Sequence, residues 1–219
     1  MPDRLAPGLR DGSEIEALAA EISHCRICVD QPRGRPLPHE PRPVAWPSAT
    51  ARILIAGQAP GARVHASGLP FDDRSGDRLR DWMGVDRPVF YDRARFAIVP
   101  MGFCFPGNDA KGGDLPPRPE CRAAWHDRLI GAMPQIDLVL AIGATAQAYH
   151  LDRLGLNHLR APTLTATIEN WRAIRQAGDR PAVIVLPHPS WRNTGWLRRH
   201  AWFETELLPV LRAEIAARL

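Results

Sequence analysis

Four short apolar runs rich in β-branched residues set the tightest limit on what this chain can fold into. They cover residues 52–56 (RILIA), 96–99 (FAIV), 138–142 (LVLAI) and 182–186 (AVIVL). Each reads as a buried strand, and they recur at intervals of roughly forty residues with helical stretches between. That spacing fits right-handed crossovers and a parallel sheet covered on both faces. The fold class expected is therefore α/β, a three-layer α/β/α sandwich with a central four-stranded parallel sheet. Two of the runs end in loops of similar design. The first passes into Gly57-Gln58-Ala59-Pro60-Gly61, where the backbone can run close to a ligand, and then through a Gly-x-Pro turn to Phe71. The last passes into Pro187-His188-Pro189-Ser190-Trp191-Arg192-Asn193. Two strand ends could so deliver one polar loop each to a common crevice, the usual ligand position in open α/β sheets.

Between the strands, Ser13 and Glu16 form a capping box ahead of Ile15, Leu18, Ala19 and Ile22, which predicts a first helix to about Ser23. It delivers Cys25 and Cys28 just past its end. Residues 29–49, rich in proline and arginine, read as an irregular surface loop that could touch a polyanion. Ser75 is a candidate cap for a helix carrying Leu79, Trp82 and Met83 and ending at Gly84. Residues 100–119 form a long Gly/Pro-rich loop holding Cys104, followed by a helix to about Met133 with Cys121 in its first turn. A short helix follows Gly143-Ala144-Thr145, helix signals return at 168–176, and the segment 197–219 is helical with a break expected before Pro209.

A chain of 219 residues can bury one sizeable core, so a single domain over residues 1–219 is expected. The formal charge of +4 is carried almost entirely by arginine, Lys111 being the only lysine. Arginine suits bidentate phosphate contact, but a genome that favours arginine codons accounts for the bias equally well. No apolar run is long enough to span a bilayer, and the stretch MPDRLAPGLRDGS has no signal-peptide core. A cytoplasmic protein is expected. In a reducing compartment, four cysteines point away from disulfides and towards thiolate chemistry or metal ligation. The pair Cys25-x-x-Cys28 could hold one side of a metal or cluster, with Cys104 and Cys121 closing the other. Buried apolar thiols fit the pattern as well, and four thiolates do not separate zinc from an iron–sulfur cluster.

Taken in order, these motifs resemble the uracil-DNA glycosylase superfamily, most closely its iron–sulfur class known as family 4. Gly57-Gln58-Ala59-Pro60-Gly61 resembles that class's G-E-A-P-G loop, and Gly68-Leu69-Pro70-Phe71 with Ser75-Gly76 resembles its G-x-P-F…S-G segment. Leu140-Ala141-Ile142-Gly143-Ala144-Thr145-Ala146 is similar to the third-strand signature, and His188-Pro189-Ser190 to the H-P-S/A loop. The resemblance covers nearly the whole chain. It implies a [4Fe–4S] cluster on Cys25, Cys28, Cys104 and Cys121, with zinc the lesser candidate, and DNA as the partner of a nucleoid-associated enzyme; with no interface signal in the sequence, a monomer is the default expectation. It also implies that Phe71 stacks on a flipped base. Two positions depart from the pattern. The motif-one carboxylate is Gln58, which can orient a water but cannot take its proton. The asparagine that reads uracil from the end of the second strand is Pro100, which offers no side-chain hydrogen bond.

Hydrolysis of an N-glycosidic bond leaves positive charge on the sugar and negative charge on the base. His188 is placed to donate to a base carbonyl as that charge grows. Gly57 and Ala59 offer backbone to the base, and Asn193 is a candidate reader in place of Pro100. Asp72, Asp73 or His65 could hold the water. Ser190, Trp191 and Arg192 are the expected DNA contacts, with Trp191 or Arg192 filling the gap left by the flipped nucleotide and Arg198 and Arg199 on flanking phosphates. A tryptophan anchoring the last helix to the core is the plain alternative for Trp191. The activity expected is monofunctional uracil removal, since no lysine in the site could form a Schiff base. The rivals are a glycosylase for hypoxanthine or xanthine and a non-catalytic binder of damaged DNA. The covalently trapped variant of the family uses a histidine that residues 107–118 lack, and an iron–sulfur electron carrier leaves the H-P-S loop unexplained.

Overall fold

The structure, a computed structural model, describes residues 12–177 and 181–219. The first eleven residues of the expected domain therefore lie outside the described residues. Helix α1 (Gly12–Ser23) buries Ile15, Leu18 and Ile22 along one stripe, as the sequence spacing requires, and leads to the short helix α2 (Ile27–Asp30). Strand β1 (Ile53–Ala56) is followed by α3 (Ala62–Ser67), α4 (Arg74–Met83) and α5 (Arg87–Phe90), and then by β2 (Phe96–Ile98). After the long loop come α6 (Pro119–Cys121), a π turn over Arg122–His126 and α7 (Asp127–Gly131), which together make one continuous helical rod. Strand β3 (Leu138–Ile142) turns into α8 (Ala144–Arg153); α9 (Leu164–Glu169) and α10 (Trp171–Ala177) precede β4 (Ala182–Leu186). Helices α11 (Thr194–Arg199) and α12 (Leu208–Ala216) close the described chain.

The four strands form one parallel sheet in the order β2-β1-β3-β4, flanked by helices. The expected strands all form, and every strand residue except Ala182 is buried. The chain leaves β1 for β2 on one side and then crosses back past β1 to β3. Between β1 and β3 the connections therefore part in opposite directions, and a crevice opens outside the carboxyl ends of the strands. At the opposite end of the sheet lies a polar lock. Asp137, just before β3, accepts from Arg52, just before β1, at 3.0 Å and from Arg218 at 2.5 Å, and Arg218 reaches Glu214 of α12 at 2.5 Å. Burial works against the Asp137 carboxylate, but the two guanidinium groups outweigh it and hold its pKa below the ordinary range.

Three expectations are corrected. The cap of α4 is Asp73, not Ser75: its carboxylate accepts from the Gly76 N–H at 2.8 Å, so the helix starts at Arg74, two residues earlier than a Ser75 cap allows. The C-terminal helix breaks at residues 200–202, and Pro209 is absorbed by a π turn over Phe203–Leu207 that runs into α12 without a stop. Residues 29–49 are a cover rather than a loose loop. Leu37 and Val44 are buried, Trp46 forms an antiparallel bridge to Ile98 on the outer edge of β2, and the Val44 N–H bonds the Phe103 carbonyl at 2.7 Å. Among the described residues no helix is long and apolar enough to cross a membrane.

Candidate active site

All four strands send their carboxyl ends to one cleft of about 720 Å³. Gly57, Gln58 and Ala59 enter it from β1, Pro100 from β2, Thr145 from β3, and His188, Ser190, Trp191 and Arg192 from β4, with Phe71 on the wall. The two loops that the sequence singled out thus face one space. Gly143 makes their approach possible. It has φ +82, which favours glycine, and a Cβ there would lie 2.7 Å from the Gln58 amide nitrogen, so a larger residue would push the Gln58 side chain out of its present position.

Phe71 is held in a conformation that few residues adopt. Its φ is +54, the only positive value outside glycine among the described residues, at a cost of about 1–2 kcal/mol. The surroundings fix it. Gly76 of α4 packs directly on the Phe71 carbonyl, Arg80 donates to that carbonyl at 3.3 Å, and the Phe71 ring meets Phe90 edge to face at 6.0 Å. Arg80 is itself buried, paired with Asp77 at 2.6 Å and lying over the rings of Phe90 and Tyr91. The result is an aromatic wall set before any ligand arrives.

His188 is half-buried between Pro187 and Pro189, and neither ring nitrogen has a partner among the described residues. Burial pushes its pKa below the ordinary 6.5, while the carboxylates of Asp73 and Asp114 pull it back only in part. At neutral pH the ring is therefore an uncharged donor facing the cleft. Asn193 does not line the cleft; its amide donates to the His188 carbonyl at 2.7 Å. The residue expected to read the base instead holds the loop that carries the histidine. Arg78 of α4 adds a second brace, donating to the Ser190 carbonyl at 2.8 Å.

Pro100 lines the cleft as expected, and its carbonyl is taken at 3.1 Å by Nε2 of the buried His126. The Pro100 side chain can meet a base only by apolar contact, and one lone pair of its carbonyl is already engaged. At the rim, Trp191 is 71% exposed, which rules out the core-anchor alternative. Arg192 lies over the Trp191 ring, and Arg63 and Arg74 stand on the same rim. Leu115, another of the few exposed large apolar side chains, lines the same cleft from the loop after β2.

The sequence model of the Uracil DNA glycosylase superfamily matches residues 45–212. The chain belongs to this superfamily. Its matched span begins at the cover on β2 and ends in α12, so it takes in every residue lining the cleft except Val44. Superfamily membership makes the chain a DNA glycosylase, with DNA as its partner. Cys25 and Cys28 lie before the matched span, and Cys104 and Cys121 fall inside it.

The four cysteines are free thiols gathered where α1, α2, the loop after β2 and α6 meet; three are buried and Cys25 is half-buried. N–H groups point at their sulfurs: Trp125 Nε1 donates to Cys25 at 3.3 Å and the Phe103 backbone donates to Cys121 at 3.4 Å. A hydrogen bond from Cys121 favours the Cys28 thiolate, and burial pushes the Cys104 thiol up to about 12. Among the described residues no group of three or more His, Cys, Asp or Glu side chains is closed up as a chelate for a metal ion. The glycosylase cleft also holds residues that pattern reading passed over: Thr145, Arg63, Arg74 and Asp114. Thr145 stood inside a quoted motif. Asp114 had no local signal beyond its place in an unusually long loop.

Proposed function

We propose that the chain is a monofunctional uracil-DNA glycosylase that hydrolyses the N-glycosidic bond and leaves an abasic site. What supports the reading is the neutral His188, unpartnered in a cleft walled by the pre-set Phe71 ring. A flipped base enters the cleft and stacks on Phe71 while Trp191 fills the space it vacated. As the glycosidic bond breaks, charge accumulates on a base carbonyl, and the His188 N–H bonds it more strongly in the transition state than in the ground state. Arg63, Arg74 and Arg192 take the flanking phosphates.

A second reading has its own support in Pro100. With no donor and no side-chain acceptor from that residue, discrimination falls chiefly to backbone groups of the loop after β1 and to Thr145, which tolerates other carbonyl-bearing bases such as hypoxanthine or xanthine. A panel of oligonucleotides, each with one uracil, hypoxanthine or xanthine in single-stranded or duplex form, separates the two when released base is measured. Uracil leads the panel in the first reading. Trp191→Ala loses release from duplex about tenfold or more and keeps it from single strands, where there is no gap to fill; equal loss on both would remove the wedge role.

The cysteines fit a [4Fe–4S] cluster in the chemistry of the set, four free thiols with N–H donors to sulfur. Cys25, Cys28, Cys104 and Cys121 would hold it, and when bound it supplies a structural tie between the segment ahead of β1 and the rod that follows the long loop. Protein purified without oxygen is expected to carry iron and acid-labile sulfide, with broad visible absorbance lost in Cys121→Ser. Stoichiometric zinc with no iron would overturn the assignment.

A further inference from the structure

Hydrolysis needs a group that takes a proton from the attacking water, and Gln58 cannot do so. The cleft holds two carboxylates, Asp73 and Asp114. Asp73 is committed to capping α4 and sits two residues from Phe71, on the wall that meets the flat face of the base. Asp114 is exposed and lines the cleft beside Leu115, an exposed apolar side chain like Trp191, so it sits on the cleft's solvent-facing side. When the base is inside and the DNA backbone is outside, the sugar must lie on that side.

Asp114 is not on a loose loop. Asn108 and Asp114 form an antiparallel bridge, the Leu115 N–H bonds the Gly107 carbonyl at 2.9 Å, and Gly112 turns the tip with φ +75. The Asp109 carboxylate braces the tip by accepting from the N–H groups of Lys111 at 2.8 Å and Gly113 at 2.9 Å. Oδ1 of Asp114 accepts from the Asn108 amide at 3.2 Å, which fixes the carboxylate. Oδ2 meets no donor among the described residues and lies over the loop after β1, 3.5 Å from where a Cβ on Gly61 would stand. One oxygen is held and the other is open, above the loop that carries Gln58.

We propose that Asp114 is the general base of this glycosylase and the anion that faces the sugar cation, with Gln58 orienting the water between them. The proposal rests on the glycosylase reading above. Water oxygen bonds to C1′ as the C1′–N bond breaks; the bonding pair leaves with the base, whose charge is met by His188. The water proton passes to Asp114 Oδ2 and then to solvent, and the base anion takes up a proton from solvent. The titratable and charged groups that share the cleft with the open oxygen are His188, Asp73, Arg63, Arg74 and Arg192.

The test is single-turnover base release by the full chain across pH, with Asp114→Asn and Asp73→Asn compared with wild type. Asp114→Asn is expected to lose about a hundredfold or more. Wild type slows as acid protonates its base, and Asp114→Asn loses that pH dependence. Asp73→Asn, whose amide oxygen still caps α4, keeps the pH dependence. A second measurement needs no turnover: binding to duplexes with a cationic pyrrolidine or a neutral tetrahydrofuran in place of the sugar. Wild type prefers the cation, and Asp114→Asn loses that preference about tenfold while binding the neutral analogue as before. Retained rate with retained acid dependence in Asp114→Asn, or an unchanged cation preference, overturns the proposal. Absence of release by wild type on every lesion would instead strike at the glycosylase reading, and the analogue comparison would still decide the role of Asp114.

Discussion

Replacing His188 by alanine lowers the single-turnover rate of base release by roughly two to three decades and leaves binding to abasic-analogue duplex within about threefold of wild type. The asymmetry follows from what the side chain meets. In the free protein its ring nitrogens have no partner among the described residues, so removing them breaks no internal bond. Only the charge that develops on the leaving base calls on the N–H, and a group used only in the transition state lowers the rate when lost and not the affinity. Burial holds the His188 pKa below its ordinary value, so the neutral donor survives to lower pH than a free imidazole would. Any inflection from the histidine therefore falls on the acid side of the ordinary histidine value. A variant that binds weakly but turns over at the wild-type rate would show His188 to be a recognition group instead.

Gly76→Ala destabilises the chain by at least about 3 kcal/mol and abolishes base release in whatever fraction stays folded. A Cβ at this position would stand 1.8 Å from the Phe71 carbonyl oxygen and 2.6 Å from its carbonyl carbon. These are backbone atoms, so no rotamer change relieves the clash. Either α4 moves out, dragging Leu79, Trp82 and Met83 from the core, or Phe71 gives up its left-handed conformation and swings off the wall of the cleft. The first route costs stability and the second costs the stacking face. Thermal and denaturant unfolding with base release on the same preparation reads both; a melting temperature lowered by about 6–12 °C corresponds to the stability loss. Unfolding and turnover equal to wild type would mean that the helix does not press on Phe71 as described.

The sheet was legible because each strand is a dense apolar run with both faces buried, and no side-chain partner had to be guessed to find it. The cleft was legible where glycine, proline and a polar residue fall together at a strand end, as in the stretches that place Gln58 and His188. What sequence could not give depends on partners distant along the chain. Asp73 and Ser75 are both competent caps, and only the path of the chain after the strained Phe71 decides between them. Asn193 has the chemistry to read a base, yet the turn after Ser190 aims its amide back at the His188 carbonyl. Asp114 gains meaning only when a small hairpin, with nothing apolar to announce it, folds across the loop after β1.

The proline-rich cover has a consequence for how this protein behaves in concentrated solution. β2 lies at the margin of the sheet, where a strand ordinarily offers free N–H groups on which another chain can build. Here both outward N–H groups are spent, that of Phe96 on the Asp92 carbonyl at 3.1 Å and that of Ile98 on the Trp46 carbonyl at 2.8 Å. The strip that covers them is flanked by Pro43 and Pro47, which have no N–H to pass on, and Arg93 lies over the Trp46 ring at 4.9 Å. Sheet growth is terminated on this side by residues that cannot relay it, so self-association through β2 requires the cover to peel away first.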